Sequence, residues 1–478
     1  MKRILFVIIF LTSISLGDLY AQYDFSLYDL GNFTPQANGL NPSFFPEKRF
    51  YIGFPAVSSV NLSMTNGFSF NQFFRKNDQG EFVIDLNYLA DNLAENNYLR
   101  NSIELEVFSF GYQVKKNFFN IGLKARFQND FDMPDGIINE ILDGNGNIGL
   151  VEFEGLSQHG FQPDDGKSDL REIGSESLQI NSITFAEVGL GYGRKVNDRL
   201  TLGVKVKFLK GMVNVESNNL QGALATNLSE SRLSISTDAG AELKTTGVMA
   251  LINDDNSNYS NFFDYAIKNK NYGFAFDFGA SYQVNDYLHV SGSIIDLGFI
   301  HWKDDVENHQ VNQINYTLDG NEFSDILSFE GGEDKIEDRL EDELDVLDST
   351  FRVKAIDRSY RSTLASKMYL NGTFTLERHS VGLTFAGTYN QNDFNPGFSL
   401  LYFYQINELL KAGGTVGYVN EGIHNVGIAV ALNLGPVQLY TTTDNLFGIV
   451  NVNNAKSANV HFGINLLFGK DPNKEDDE

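Results

Sequence analysis

Cysteine is missing from all 478 residues. That absence removes disulfides, thiol catalysis and cysteine-ligated zinc or iron–sulfur centres together. Long apolar runs are missing too: after Leu16 no stretch approaches the roughly 20 residues a spanning helix needs. If the mature chain crosses a membrane, it must do so as a closed barrel, the other structure that pairs every backbone polar group. Positive charge is scarce, with 36 Lys and Arg against 62 Asp and Glu and a net charge of -26. Such a chain repels nucleic-acid phosphates, so no nucleic-acid partner is expected. The seven histidines show no metal-ligand spacing and no G-x-S-x-G elbow occurs. No enzyme activity, cofactor or metal is therefore expected.

What is present points one way. Forty Phe, 21 Tyr and 44 Gly stand against one Trp and nine Pro. Strands, tight turns and aromatic belts consume those residues. Mean hydropathy is -0.23, which fits a barrel because only every second residue of a strand faces lipid. At the N-terminus Lys2 and Arg3 precede the apolar run Ile4 to Leu16, and Leu19-Tyr20-Ala21 offers a cleavage site. This reads as a secretory signal peptide over residues 1–21. No cysteine follows it, so a lipoprotein anchor is excluded.

From about residue 50 the pattern alternates with period two. Ile103 and Leu105 alternate with Glu104 and Glu106; the apolar phase then slips to Phe108, Phe110 and Tyr112, which a bulge near Val107-Phe108 would accommodate. Lys116-Asn117 turns the chain into Ile121, Leu123, Ala125 and Phe127. The same hairpin recurs with turns at Asn197-Asp198, Asn285-Asp286, Glu377-Arg378, Asn407-Glu408 and Gly435-Pro436, and a last strand covers 458–468. With a first strand at 50–64 the count is fourteen, joined by short turns on one side and mostly long loops on the other. That asymmetry is characteristic of transmembrane barrels. The expected fold is thus all-β, a transmembrane antiparallel barrel of about fourteen strands over 50–468. Both termini would be periplasmic, with an acidic tail at 469–478.

Several segments stand outside the barrel pattern. Strand-like patches within 229–250 read as an extracellular hairpin, or as two more spans that would raise the count to sixteen. Leucine spacing suggests a loop helix over 83–99 and another in the acidic run 330–348, with a short third at 137–142. Asp143, Asn145, Asn147 and Glu154 resemble calcium-loop positions, but Ile148 stands where that turn needs glycine. Residues 22–49, with Asn41 and Pro42, are not strand-like and are expected to fold into the lumen as a periplasmic hatch or plug.

If the aliphatic positions face lipid, Glu104, Glu106, Lys124, Arg126, Glu187, Lys205 and Lys207 face the lumen. Glu104 and Glu106 would lie near Lys124 and Arg126, and Glu187 near Lys205 and Lys207. Charges there need water or partners. They serve either as a brace or as a lined path for an ion or ligand. Strict alternation from Leu288 would leave Asp296 on the lipid side. A kink eased by Gly292 and Gly298 would turn it inward; it either shapes the wall or leaves a lateral gap for an apolar ligand.

The stretch Gly39-Leu40-Asn41-Pro42-Ser43-Phe44 resembles the Asn-Pro-Ala element of FadL-like and PorV-like outer-membrane barrels. The phrases Ser291 to Trp302 and Phe462 to Gly469 are similar to an uncharacterised Bacteroidota branch related to them. The resemblance implies a fourteen-stranded barrel with an N-terminal hatch. It also implies one of two roles, passage of hydrophobic compounds or partnership in a secretion assembly. Ser43 departs from the family's alanine, and the charged lumen departs from an oily tunnel. The functional expectation is passive uptake of a small or hydrophobic compound through a plugged barrel; the alternative is a non-catalytic scaffold. Expected partners are outer-membrane lipid, an apolar small-molecule ligand, and other outer-membrane proteins.

Overall fold

The computed structural model describes residues 23–469 except 56, 68, 70, 72–73, 77–81, 85–95, 135–169, 172–178, 219–221, 228–231, 238–240, 252–261, 312–313, 320–353, 357, 391–392 and 420–421. Its main sheet closes into a transmembrane antiparallel barrel of fourteen spans. These are β1 (Phe50–Gly53, resumed as Ser59–Asn66), β2 (Asn96–Val114), β3 (Asn117–Pro134), β4 (Gln179–Lys195) and β5 (Leu200–Asn218). There follow β6 (Tyr272–Gln283), β7 (Leu288–Trp302), β8 (Tyr360–Thr363, resumed as Ser366–Leu376), β9 (His379–Asn390) and β10 (Asp393–Ile406). The last are β11 (Leu410–Val419), β12 (Gly422–Leu434), β13 (Val437–Thr443) and β14 (Ser457–Phe468). Phe50 on β1 faces Tyr112 of β2 on one side and Phe468 of β14 on the other, which closes the ring and leaves no free edge.

Side-chain alternation sorts the wall into two faces. On β6, Tyr272, Phe274, Phe276 and Phe278 point outward with 44–55% exposure, while Ala275 and Asp277 between them are fully buried. Outward aromatics gather toward both rims: Phe119, Tyr192, Tyr287 and Phe374 near the tight turns, and Phe274, Phe299, Tyr389 and Phe394 near the loops. In water so much exposed apolar surface would drive aggregation; in a bilayer it is the matching solvent. Among the described residues no helix is long and apolar enough to cross a membrane.

The loop end corrects two expectations. Arg232–Thr237 pairs with Gly222–Asn227 and with Ile314–Asp319 in a separate four-stranded sheet, while Ala241–Thr246 prolongs the barrel wall beside β5. The segment 229–250 is therefore split between two sheets and adds no span. The helix expected over 83–99 is also absent at its ends. Phe82–Ile84 is a strand paired with Phe74–Lys76, and Asn96–Leu99 already belongs to β2, paired with β3 as far as Pro134. Backbone pairing with a partner already in register overrides leucine spacing. The remainder of that helix, those at 137–142 and 330–348, and the calcium-like positions 143–154 lie outside the described residues.

Residues 23–49 lie inside the barrel. Their aromatic and aliphatic side chains, among them Phe25, Leu27, Tyr28, Leu30 and Phe33, form one buried cluster with the inward wall residues Tyr369, Ala386, Leu401, Phe403, Ala429 and Tyr440. Those wall residues stand on β8 to β13, so this half of the lumen is apolar and filled. The charge cluster around Arg126 stands on the opposite half, β2 to β7.

Candidate functional site

The lumen segment begins with a six-residue helix, α1 (Phe25–Leu30), whose first amides are capped from across the barrel. Asp444, just beyond β13, accepts hydrogen bonds from the backbone N–H groups of Phe25 (3.0 Å) and Ser26 (2.8 Å). A carboxylate suits the positive end of a helix, and here it ties helix to wall. Burial nevertheless pushes the Asp444 carboxyl up to about 7. Burial also raises neighbouring Asp24, but the His461 imidazole 3.7 Å away, with Lys367 and Lys124 beyond it, outweighs burial and holds Asp24 below the usual carboxylate range. At the helix C-terminus Lys411 donates to the carbonyl oxygens of Asp29 and Leu30, both at 2.9 Å. Asp29 accepts from Thr384 (2.9 Å) and Asn371 (3.2 Å), its second oxygen has no partner, and burial pushes it up to about 8.

The segment then threads along the inner wall toward the tight turns. Asn41 is fully buried; its amide donates to the Tyr28 hydroxyl at 2.9 Å and its oxygen accepts from the Ser43 backbone and hydroxyl at 3.0 and 2.7 Å. Pro42 follows with its carbonyl accepting from Asn38 at 3.2 Å. The wall is cut away to receive them. Gly193, Gly203 and Gly279 are register partners across β4, β5 and β6. A Cβ on Gly203 would lie 2.1 Å from the Pro42 oxygen, one on Gly279 2.1 Å from the Asn41 oxygen, and one on Gly193 2.2 Å from the Phe45 ring. The row continues to Ser293, which donates to the Leu40 carbonyl at 2.6 Å. Sequence reading missed this row; glycines recurring at inward positions of consecutive strands are the signal that would have found it.

Tyr23 donates to the Asn395 carbonyl near the loop end, whereas Arg49 accepts from the Gln113 amide beside the tight turns. The described N-terminal segment thus runs the length of the lumen. The barrel's own ends, Phe50 and Phe468, do meet at the tight-turn rim.

The charged half converges on Arg126. Its guanidinium is bidentate to Asp296 (3.0 Å twice) and also reaches Glu104 (3.1 Å) and Glu187 (3.3 Å). Lys207 lies against Asp296 (2.6 Å) and Asp277 (2.8 Å). Lys124 stands opposite Glu106 in register, but its nitrogen is 4.0 Å from the carboxylate, and Gln36 of the lumen segment donates to Glu106 at 3.3 Å. Glu187 lies near Lys205 and Lys207, but its ion pair is with Arg126. A register shift on β4 between Thr184 and Phe185 sets Glu187 opposite Leu209, and β3 presents Arg126 closer. Lys205 has no carboxylate within 4.0 Å among the described residues. Asp277, which the sequence reading passed over, is as central as the residues it named.

Asp296 reaches this cluster through a bulge. Phe276 pairs with Leu297 and Phe278 with Ile294, leaving Ile295 and Asp296 opposite Asp277 alone. Asp296 adopts φ 61, a left-handed conformation tolerated by a short polar side chain, and its N–H donates to the Asp277 carboxylate at 2.8 Å. Gly292 and Gly298 flank the bulge within β7. Across from it the ladder to β8 is interrupted between Ile295–Lys367 and Phe299–Thr363. Leu364 N–H to Gly298 (3.0 Å) and Ser366 hydroxyl to Asp296 carbonyl (3.1 Å) bridge the interruption, so the wall there is thinned in bonding yet closed.

A family model described as a family of unknown function (DUF5723) matches residues 42–444. The chain belongs to this family. The match begins at Pro42 in its glycine notch and ends at Asp444, the helix clamp. The chain matches no curated protein. Among solved structures it is similar to the toluene transporter TodX of Pseudomonas putida, at 9% identity and TM-score 0.38, over 94% of this chain and 98% of that one. It is also similar to a FadL homologue of Pseudomonas aeruginosa, at 11% identity and TM-score 0.41, over 94% and 99%.

Proposed function

We propose that this chain is a passive outer-membrane uptake protein that admits a small or hydrophobic compound through a plugged barrel. In this reading residues 1–21 are a signal peptide, 22–49 the hatch, 50–468 the barrel and 469–478 an acidic periplasmic tail. The observation that carries it is how the lumen segment is held. It fills the apolar half of the lumen, yet side-chain hydrogen bonds and ion pairs, such as Asp444 to α1, Lys411 to Asp29 and Lys48 to Glu408, fasten it, and no strand pairing does. A plug fastened in this way can shift without breaking the wall. The charge cluster braces the wall while it does so. A lateral exit beside Asp296 would additionally need the Leu364–Gly298 and Ser366–Asp296 bonds to break, so the route past the hatch is favoured.

The test is reconstitution into planar bilayers and liposomes. Wild type should conduct weakly; deletion of residues 22–49 should open large, stable conductance. Should the deletion not insert, Asp444→Asn combined with Lys411→Met serves instead, and should raise flux with the barrel intact. Unchanged conductance from both variants would remove the uptake reading. Stoichiometric copurification of other outer-membrane proteins with a closed barrel would put the PorV-like scaffold role in its place.

A further inference from the structure

Most of the rim formed by the tight turns carries no surplus of positive charge. The turns at Asn285-Asp286, Glu377-Arg378, Asn407-Glu408 and Gly435-Pro436 hold Asp286, Glu377 and Glu408 against Arg378. The two turns that join β2 to β3 and β4 to β5 differ. Lys115, Lys116, Arg194, Lys195 and Arg199 gather there, with Asp198 the one acid among them. The turns are neighbours, because the Lys195 N–H donates to the Lys116 carbonyl at 2.8 Å. Asp198 stands 3.7 Å from Lys116 with both side chains more than half exposed, and a pair in that setting is worth little. Lys48 of the lumen segment is engaged by Glu408, and Glu47 lies toward Lys411, on the other side of the barrel. In a chain of net charge -26 this arc runs against the overall balance.

The depth of the arc says what it meets. On β4 the outward positions run Val188, Leu190, Tyr192 and Arg194, the first three 38–46% exposed on the lipid face. The Tyr192 ring lies 5.3 Å from that of Phe119 on β3. Such rings sit at headgroup level in a bilayer. Arg194 stands one outward position beyond them, toward the turn. Its guanidinium and the Tyr192 hydroxyl donate to the Asn117 side-chain oxygen at 3.4 and 2.9 Å. Among the described residues that is the one hydrogen bond the guanidinium makes, so most of its five N–H donors are left for an outside acceptor. A phosphate matches that fork. The acids of 471–478 lie outside the described residues and are a rival occupant, but a tail in water does not account for an arginine turned to the lipid face. We infer that this arc is a binding site for an anionic phospholipid, with Arg194 on the phosphate and Lys115 and Lys116 rejecting the cationic headgroup of a zwitterionic lipid. Clusters of basic residues at a membrane surface favour anionic lipid in this way. The site lies on the outer face and is independent of what the lumen passes.

The experiment is native mass spectrometry of the full-length protein in mild detergent, supplied with an equimolar mixture of phosphatidylglycerol and phosphatidylcholine. Phosphatidylglycerol should be retained in preference by about fivefold or more, the scale of one cation at an anionic surface. Arg194→Gln combined with Lys116→Gln should bring the ratio near one, while Arg378→Gln in the opposite arc should leave it unchanged. Excess inorganic phosphate should not displace the lipid, and deletion of residues 470–478 should not alter the preference. Heat-modifiable migration on gels confirms that each variant is a folded barrel, and Arg194→Lys, which keeps the charge but loses the fork, should retain only part of the preference. No preference in the wild type, an unchanged ratio in the double variant or an equal loss in Arg378→Gln would each overturn the assignment. So would displacement by inorganic phosphate, which would mark a simple anion site. A preference that appears only after the tail is deleted would give the arc to the tail instead.

Discussion

Arg126 is the residue on which the charged half of the lumen depends. Three carboxylates, from Glu104, Glu187 and Asp296, lie within 3.3 Å of its guanidinium. Removing one partner of a buried ionic cluster leaves uncompensated charge, at about 3–5 kcal/mol. Arg126→Met should lower barrel stability by that order, and adding Asp296→Asn should restore part of it. Trp302, the sole tryptophan, is fully buried and donates to Ser362 at 3.1 Å, so its fluorescence reports the melt from one site. A double variant no more stable than the single one would count against this role. Gly203 is the second such residue. A methyl group there would meet the Pro42 carbonyl, and forced overpacking costs about 1–3 kcal/mol. Gly203→Ala should make residues 23–49 protease-sensitive while the barrel stays heat-resistant. Gly372→Ala, where a methyl meets nothing within 4 Å, is the matched control.

At the scale of elements, the seating of α1 should depend on pH. Asp444 and Asp29 are raised to about 7 and 8 by burial, against about 3.9 for a free carboxyl once the segment has left its seat. A raised acid binds its proton more tightly in the docked state. Docking is therefore strongest below about pH 4 on this account and weakens as pH rises through 7 and 8. Asp24 is shifted the other way, so its contribution is present above about pH 4 and is lost only in stronger acid. Hydrogen exchange of α1 should accelerate from pH 6 to pH 9 beyond the intrinsic chemical rate, and Asp444→Asn with Asp29→Asn should flatten the excess. Equal excess in the double variant would show that other groups govern the seat. The β7 bulge belongs to this scale as well. Strict alternation alone would leave Asp296 facing lipid; the expected kink is present as a bulge opposite Asp277 and turns it inward, where Arg126 and Lys207 compensate the left-handed backbone.

For the whole molecule the governing fact is that the outer face has lipid as its solvent. Leu400, central in β10 and 62% exposed, faces the bilayer midplane, whereas Leu434 adjoins the Gly435 turn at the rim. An arginine at midplane costs about 2–4 kcal/mol and one near the interface about 0–1. Leu400→Arg should therefore destabilise the protein in lipid vesicles far more than Leu434→Arg, read as the urea midpoint of unfolding. Equal effects would mean that β10 is not lipid-facing. The same two-faced wall explains how a chain with mean hydropathy of -0.23 resides in a membrane.

The spans were legible because a strand exposed to two solvents writes its register into every second residue. Turn positions such as Asn197-Asp198 and Gly435-Pro436 needed no tertiary information, since their chemistry is local. Glu104 and Arg126 were likewise legible as inward-facing. Which carboxylate Arg126 would hold was not: the register shift at Thr184 and the bulge at Asp296 decide it, and both depend on the partner strand. Asp277 and the glycine row went unread for the same reason. A glycine's purpose lies in what approaches it, and here Asn41 and Pro42 approach from more than a hundred residues away in sequence. By itself, then, the sequence determined a fourteen-strand wall, its two faces and an N-terminal segment unfit to join it, because period and turn chemistry are local. Only the tertiary structure decided that this segment fills one half of the lumen from loop end to turn end. It alone gathered the charges of the other half on Arg126, because those pairings arise only once the ring has closed.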